Sequence, residues 1–214
     1  MTQATKVRLR FAKRGDLRLV SHHDLLRCLE RMLRRAQIPI AQTQGYNPRP
    51  KITFALALGL GIESLCEIVD LELASTIDPC ELLDRLKAVA PAGFDWIDAC
   101  PLPQNTRSPR PRAAEYSFPV NEDRREAARV ALQSLLQSQS WPITRKRPER
   151  ESVFDLRANL IGADLTPEGL LQFRLKIASD GSARPEELLE ALALRDLLDR
   201  GVFLTRTSLE LSEG

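Results

Sequence analysis

The chain is poor in the residues that usually announce a cofactor. Its four cysteines, Cys28, Cys66, Cys80 and Cys100, stand far apart among 214 residues, with no CxxC, CxxxCxxC or CxxH spacing. That excludes a self-contained zinc or iron–sulfur centre and predicts reduced thiols. The only histidines, His22 and His23, are neighbours and cannot clamp a metal from one face of a helix. No P-loop, GxSxG, HExxH or dinucleotide fingerprint is present. Met1 to Lys6 lacks an apolar signal core, and the longest apolar run, Phe54 to Ile62, is far shorter than the roughly 20 residues of a membrane span. These absences predict a soluble, cytoplasmic protein with no metal, cofactor or membrane partner.

What is present is an uneven charge. The net charge is only +2, but residues 1–51 hold twelve Lys/Arg against Asp16, Asp24 and Glu30, a balance of +9. Residues 52–100 hold two basic residues against nine acidic ones, a balance of −7. A segment so polarised can bind a polyanion even though the whole molecule is near neutral. With 43% hydrophobic residues and no low-complexity tract, the chain has material for real cores.

Val7-Arg8-Leu9-Arg10-Phe11 alternates apolar and basic residues, the pattern of a half-buried strand. After a Lys-Arg-Gly-Asp turn, Leu17 to Val20 is expected to extend or pair with it. Ser21 and Asp24 form the S-x-x-D pattern of a helix start, so Asp24 reads as a cap. Leu25, Leu26, Leu29, Met32, Leu33 and Ala36 make one apolar stripe, and Pro39 closes the helical region. Lys51 to Leu58 and Glu67 to Leu73 read as strands joined through a bend at Gly59 and Gly61. Cys80 to Ala90 reads as a second helix opened by Asp78-Pro79, and Phe94 to Ala99 as a closing strand. The order βαββαβ predicts a ferredoxin-like sandwich over residues 1–100.

Cys100 to Arg112, with four prolines and three arginines, reads as a linker, which puts the boundary at 101–113. A second such domain is expected over 114–214. It would comprise a strand from Tyr116 to Val120, a helix from Glu122 to Gln137 and strand material at Ile143–Arg147, Ser152–Ala163 and Gly169–Ile177. A helix from Pro185 to Leu194 and a strand from Val202 to Leu211 would complete it. The predicted class is α+β, with tandem ferredoxin-like domains.

His23, Arg27, Arg31 and Arg34 share the polar face of the first helix. Arg8, Arg10, Arg49 and Lys51 lie on the elements that flank it. Arginine forks pair bidentately with phosphate, so these cations point to nucleic acid. In the loop Gln44–Phe54 (QGYNPRPKITF), Pro48 and Pro50 stiffen the backbone. Tyr46 would then stack on an unpaired base and Asn47 bond a base edge or sugar. The alternative is that Tyr46 packs over the sheet edge and Asn47 only makes a turn. Arg145, Lys146, Arg147 and Arg150, with Arg157 on the next strand, form a smaller cluster that reads as edge protection.

The run from Leu9 to Ser64, "LRFAKRGDLRLVSHHDLLRCLERMLRRAQIPIAQTQGYNPRPKITFALALGLGIES", resembles the radical-SAM-linked protein family, a bacterial domain of unknown function. The second half, including "FDLRANL", is similar to the rest of that domain. Ser21, His22 and Asp24 match the family's S-H-x-D helix start, with His23 in place of a usual leucine. Gly45, Asn47, Pro48, Pro50 and Lys51 match its G-[FY]-N-P-x-P-K loop. Arg49 stands where many relatives have histidine, which speaks against a metal or proton role for the loop. Members are encoded beside, or fused to, a radical SAM protein with a cobalamin-binding-type domain, often near RNA-processing or ribosomal genes. Because this chain has no cysteine triad for a cluster, the resemblance implies that the radical chemistry belongs to a partner. Tandem ferredoxin-like domains are also similar to the repeat-processing RNA endonucleases of CRISPR systems, a likeness that transfers no activity.

The leading expectation is therefore a non-catalytic RNA-binding accessory protein that delivers RNA to a radical SAM enzyme for modification. Two alternatives stand beside it. One is a metal-independent RNA endonuclease with His22 or His23 as acid/base and Lys51 stabilising the phosphorane. The other is a protein-only subunit whose basic face docks on the radical SAM partner.

Overall fold

A computed structural model describes residues 5–103, 105–147, 150–178 and 181–212. It has a mixed α+β fold with mostly antiparallel strands and six α-helices among the described residues. The chain divides into two compact units, Met1–Pro111 with Leu211–Gly214, and Arg112–Glu210.

In the first unit, β1 (Thr5–Lys13) leads through a 3-10 helix (Gly15–Leu19) into α1 (His22–Arg35). Then come β2 (Ile52–Phe54), β3 (Glu63–Leu73), α2 (Pro79–Lys87) and β4 (Phe94–Leu102). The strands lie in the order β4-β1-β3, with β2 on β3, and every pair is antiparallel. Alternation along β1 decides its two faces. Val7, Leu9 and Phe11 join Leu25, Leu29, Met32 and Leu33 of α1, Leu82 and Leu86 of α2, and Val69, Leu71 and Leu73 of β3 in one core. Lys6, Arg8 and Arg10 fall on the helix-free face. There Asp70, 2% exposed, accepts both Nε (2.7 Å) and Nη2 (3.0 Å) of Arg8, and lies 3.3 Å from Lys6 Nζ.

Leu17–Val20 is not a strand. Lys13, only 1% exposed, donates from Nζ to the Val20 carbonyl at 2.8 Å and reaches the Arg18 carbonyl at 3.5 Å. A buried ammonium needs such acceptors, and the chain curled back as a 3-10 turn presents them. The strand expected over Lys51–Leu58 is confined to Ile52–Phe54. At the C-terminus of α1, Gln37 adopts φ 55° and the Ile38 N–H reaches the Leu33 carbonyl at 2.9 Å. The helix thus ends before Pro39, in a left-handed cap.

In the second unit, β5 (Pro111–Pro119) and α3 (Glu122–Gln137) are followed by a hairpin of β6 (Pro142–Arg147) and β7 (Arg150–Asp155). After α4 (Leu156–Asn159) come β8 (Leu160–Leu165), β9 (Leu170–Lys176), α5 (Pro185–Ala191), α6 (Asp196–Asp199) and β10 (Thr205–Leu211). The main sheet runs β10-β5-β9-β8. Cross-strand pairs Tyr116–Phe173 and Phe118–Leu171 are buried, and the first stacks at 5.3 Å. The run Ser152–Ala163 is broken because the Asp155 carboxylate caps a helical turn, accepting the N–H groups of Arg157 and Ala158. The segment Cys100–Arg112 is partly regular, since β4 reaches Leu102 and β5 begins at Pro111.

The seam between α1 and β1 sets a stability contrast. Leu29→Ala is expected to cost about 2–5 kcal/mol of unfolding free energy. Arg31→Ala and Arg34→Ala should change it by less than about 0.5 kcal/mol in urea denaturation.

Candidate nucleic-acid interface

Helix α1 is fixed at its start by Ser21, whose Oγ accepts the Asp24 N–H at 3.2 Å while its hydroxyl donates to Asp24 Oδ2 at 2.7 Å. That hydroxyl, with a smaller contribution from Arg27, holds the Asp24 carboxyl below its usual pKa. With its apolar stripe buried, the helix turns Arg27, Arg31, Arg34 and Arg35 to solvent. Arg27 makes an exposed 3.3 Å pair with Asp24. Among the described residues Arg31, Arg34 and Arg35 have no ion-pair or hydrogen-bond partner for their guanidiniums. Arg34 and Arg35 lie in the last turn, where the helix dipole also favours them.

Beyond α1 the chain forms a projecting hairpin. Ile40 bridges Leu73, and the Ala41 N–H donates to the Glu72 carbonyl at 2.7 Å. Gln42 bridges Pro50, the Thr43 N–H donates to the Arg49 carbonyl at 2.8 Å, and the Arg49 N–H donates to Thr43 Oγ1 at 3.0 Å. Gly45 supplies a φ of 140° at the tip, a conformation that disfavours any side chain. Tyr46 beside it is 99% exposed, with no hydrogen bond or ring contact among the described residues, so it does not pack over the sheet edge. Asn47, Pro48 and Arg49 are exposed as well. A groove of about 420 Å³ separates the hairpin base from α1, lined by Glu30, Leu33, Arg34, Ile38, Gln42 and Pro50.

The nine cations and loop residues expected to act together are split by the sheet. Arg27, Arg31 and Arg34 lie on the helix layer, and Tyr46, Asn47 and Arg49 on the adjoining hairpin. Arg8 and Arg10 lie on the opposite face of the sheet. Lys51 alternates with core-facing Ile52 to the same side as Glu72, which it pairs at 2.6 Å. The hydrolytic set is divided too. His22 sits edge-on to Phe54 at 5.0 Å, on the core side, while Lys51 is held at Glu72 on the other. His23 is exposed on the first turn of α1.

In the second unit Arg145 is used structurally. It forks onto Glu187 at 2.6 and 2.7 Å, donates to the Ser182 carbonyl at 2.7 Å and covers the Phe154 ring at 4.1 Å. Arg157 donates to the Leu136 and Leu160 carbonyls. The side chains of Lys146, Arg147 and Arg150 lie outside the described residues. Among the described residues no three His, Cys, Asp or Glu side chains gather as metal ligands, and no helix is long and apolar enough to cross a membrane. Arg35 extends the α1 set by one position. Its i+8 spacing from Arg27 was the signal available in sequence.

The fold and this surface define an α+β protein of two units with a cationic helix-and-hairpin face. Residues 6–185 match the family described as "Uncharacterized protein conserved in bacteria (DUF2344)", and the chain belongs to that family. No curated protein matches it. Among solved structures it is similar to "Crystal Structure of an Unknown Protein from Galdieria sulphuraria", at 13% identity over 100% of both chains. The TM-score of that likeness is 0.30.

His22 gives the first unit a titration signature. Burial is the main cause of its lowered pKa; His23 and Lys13 add to it and Glu67 opposes it. The unfolded chain therefore takes up this proton first as pH falls below the usual histidine value of 6.5. Stability is unaffected by this group above that value and declines below it. His22→Gln should flatten the loss of urea stability between about pH 7 and pH 5, a window above that of the carboxylates.

Proposed function

We propose that the protein is an RNA-binding accessory factor that works with a radical SAM enzyme in RNA modification, with single-stranded RNA held on α1 and the 43–49 hairpin. The observation that carries this reading is Tyr46, a fully exposed ring on a backbone-stapled tip, on the same side of the first unit as guanidiniums that have no counter-ion among the described residues. A solvated aromatic ring gains nothing for the fold, whereas stacking on a base contributes about 1–3 kcal/mol. Arg31, Arg34 and Arg49 would hold phosphates, with Arg27 at the edge. The groove between α1 and the hairpin offers an apolar floor of Leu33 and Ile38, with Glu30 as acceptor for a base-edge N–H. The radical SAM partnership rests on the resemblance carried by Ser21, His22, Asp24 and the Gly45–Lys51 loop.

Tandem ferredoxin-like domains suit this role. The first unit's βαββαβ order with strands β4-β1-β3-β2 supports that assignment. So does the second unit, where β5-α3-β8-β9-α5-β10 frames the β6–β7 hairpin and the sheet runs β10-β5-β9-β8. The endonuclease reading has less support, because Lys51 is held at Glu72 on the side of the first sheet away from both His22 and α1, which carries His23.

A salt titration of binding to total small RNA tests the proposal. Arg31→Ala/Arg34→Ala should reduce the log–log salt slope by about 1.4, two phosphate contacts at about 0.7 each. Tyr46→Ala should weaken binding by about 1–3 kcal/mol with the slope unchanged, and Arg10→Ala should change neither. Equal, weak binding by all four proteins would overturn the RNA reading and leave the cationic face as a docking surface for the partner enzyme. Cleavage of RNA but not of its 2′-deoxy analogue would favour the endonuclease.

A further inference from the structure

A second cationic site lies on the helix-free face of the first unit, where the segment after β4 folds back across β1. Lys6 Nζ donates to the Thr106 carbonyl at 2.8 Å, which ties that segment to the sheet. Its other end is held by Ser212, whose N–H (2.7 Å) and hydroxyl (3.0 Å) both donate to the Arg110 carbonyl. Between these anchors is a cavity of about 700 Å³, lined among others by Arg8, Thr106, Arg107, Ser108, Arg110 and Ser212. Three guanidiniums and three hydroxyls line it, and among the described residues no carboxylate does. Asp70, the counter-ion of Arg8, is buried and shared with Lys6. Because Asp70 grips Arg8 through Nε and Nη2, that guanidinium is held rigidly, and its Nη1 has no partner among the described residues. Arg107 and Arg110 are exposed and equally unpaired among the described residues.

A fixed, half-buried arginine, two exposed arginines and neighbouring hydroxyl donors are the elements of an oxyanion site. The volume falls within the roughly 300–1,000 Å³ of small-molecule pockets, and the enclosing walls suit a compact ligand rather than an extended strand. We propose that this cavity binds the phosphate group of a small phosphorylated molecule, with Arg8, Arg107 and Arg110 as its ligands. It is separate from the RNA surface, because β1 directs Arg8 away from α1.

Calorimetric titration with inorganic pyrophosphate tests it on the full chain. Saturable one-to-one binding is expected, weakened at least about tenfold in Arg107→Ala/Arg110→Ala, whose exposed side chains contribute little to folding. Arg31→Ala/Arg34→Ala should bind pyrophosphate as wild type does. Absence of saturable binding, or affinity unchanged in the Arg107/Arg110 variant, would overturn the proposal. So would an equal loss in the α1 variant, which would mark the binding as diffuse attraction to cationic surface.

Discussion

The seam between α1 and β1 decides where the cations of the first unit go. Leu25, Leu29, Met32 and Leu33 are buried against Val7, Leu9 and Phe11, and that contact fixes the rotation of the helix and the face of the strand together. Once it forms, the arginines of α1 must point outward, and Lys6, Arg8 and Arg10 of β1 must point to the opposite side of the sheet. A helix with period 3.6 and a strand with period 2 cannot place their polar residues on the same side while sharing one core. One basic segment of sequence therefore becomes two basic surfaces.

The two surfaces differ in how they are neutralised. On the helix-free face, β3 supplies Asp70 to Arg8 and Lys6, and Glu72 to Lys51, so much of that charge serves the fold. Removing water from a charge is costly unless a counter-charge is at hand, and here the counter-charges are built in. Among the described residues the helix-and-hairpin face has no such provision beyond Asp24 for Arg27 and Glu30 in the groove. Its guanidiniums stay hydrated and available, and the hairpin beside them is braced by backbone hydrogen bonds before any ligand arrives. A braced loop loses little conformational freedom on binding, so more of the contact energy appears as affinity.

Much of this was legible in the residues. Ser21, Asp24 and the leucine spacing marked α1, the Val7–Phe11 alternation marked β1, and Glu122–Gln137 marked α3 to the residue. Local patterns report local structure. Pairing across long separations was not legible. Asp70 lies 62 residues from Arg8 and Glu187 lies 42 from Arg145, and no periodicity announces such partners. The buried Lys13 defeated the strand expected over Leu17–Val20 for the same reason, since its need for carbonyl acceptors is a property of the folded interior. The exposure of Tyr46 lay beyond sequence too, because a tyrosine in a proline-rich loop is as readily packed as free.

On the proposed function, RNA meets the helix-and-hairpin face of the first unit and not its β-sheet face. Ultraviolet crosslinking of the protein to bound small RNA, with the modified peptides located by mass spectrometry, tests it most directly. A nucleotide adduct is expected on Tyr46 and none on the peptide carrying Arg8 and Arg10. Adducts confined to that β1 peptide, or adducts found only in residues 112–210, would contradict it.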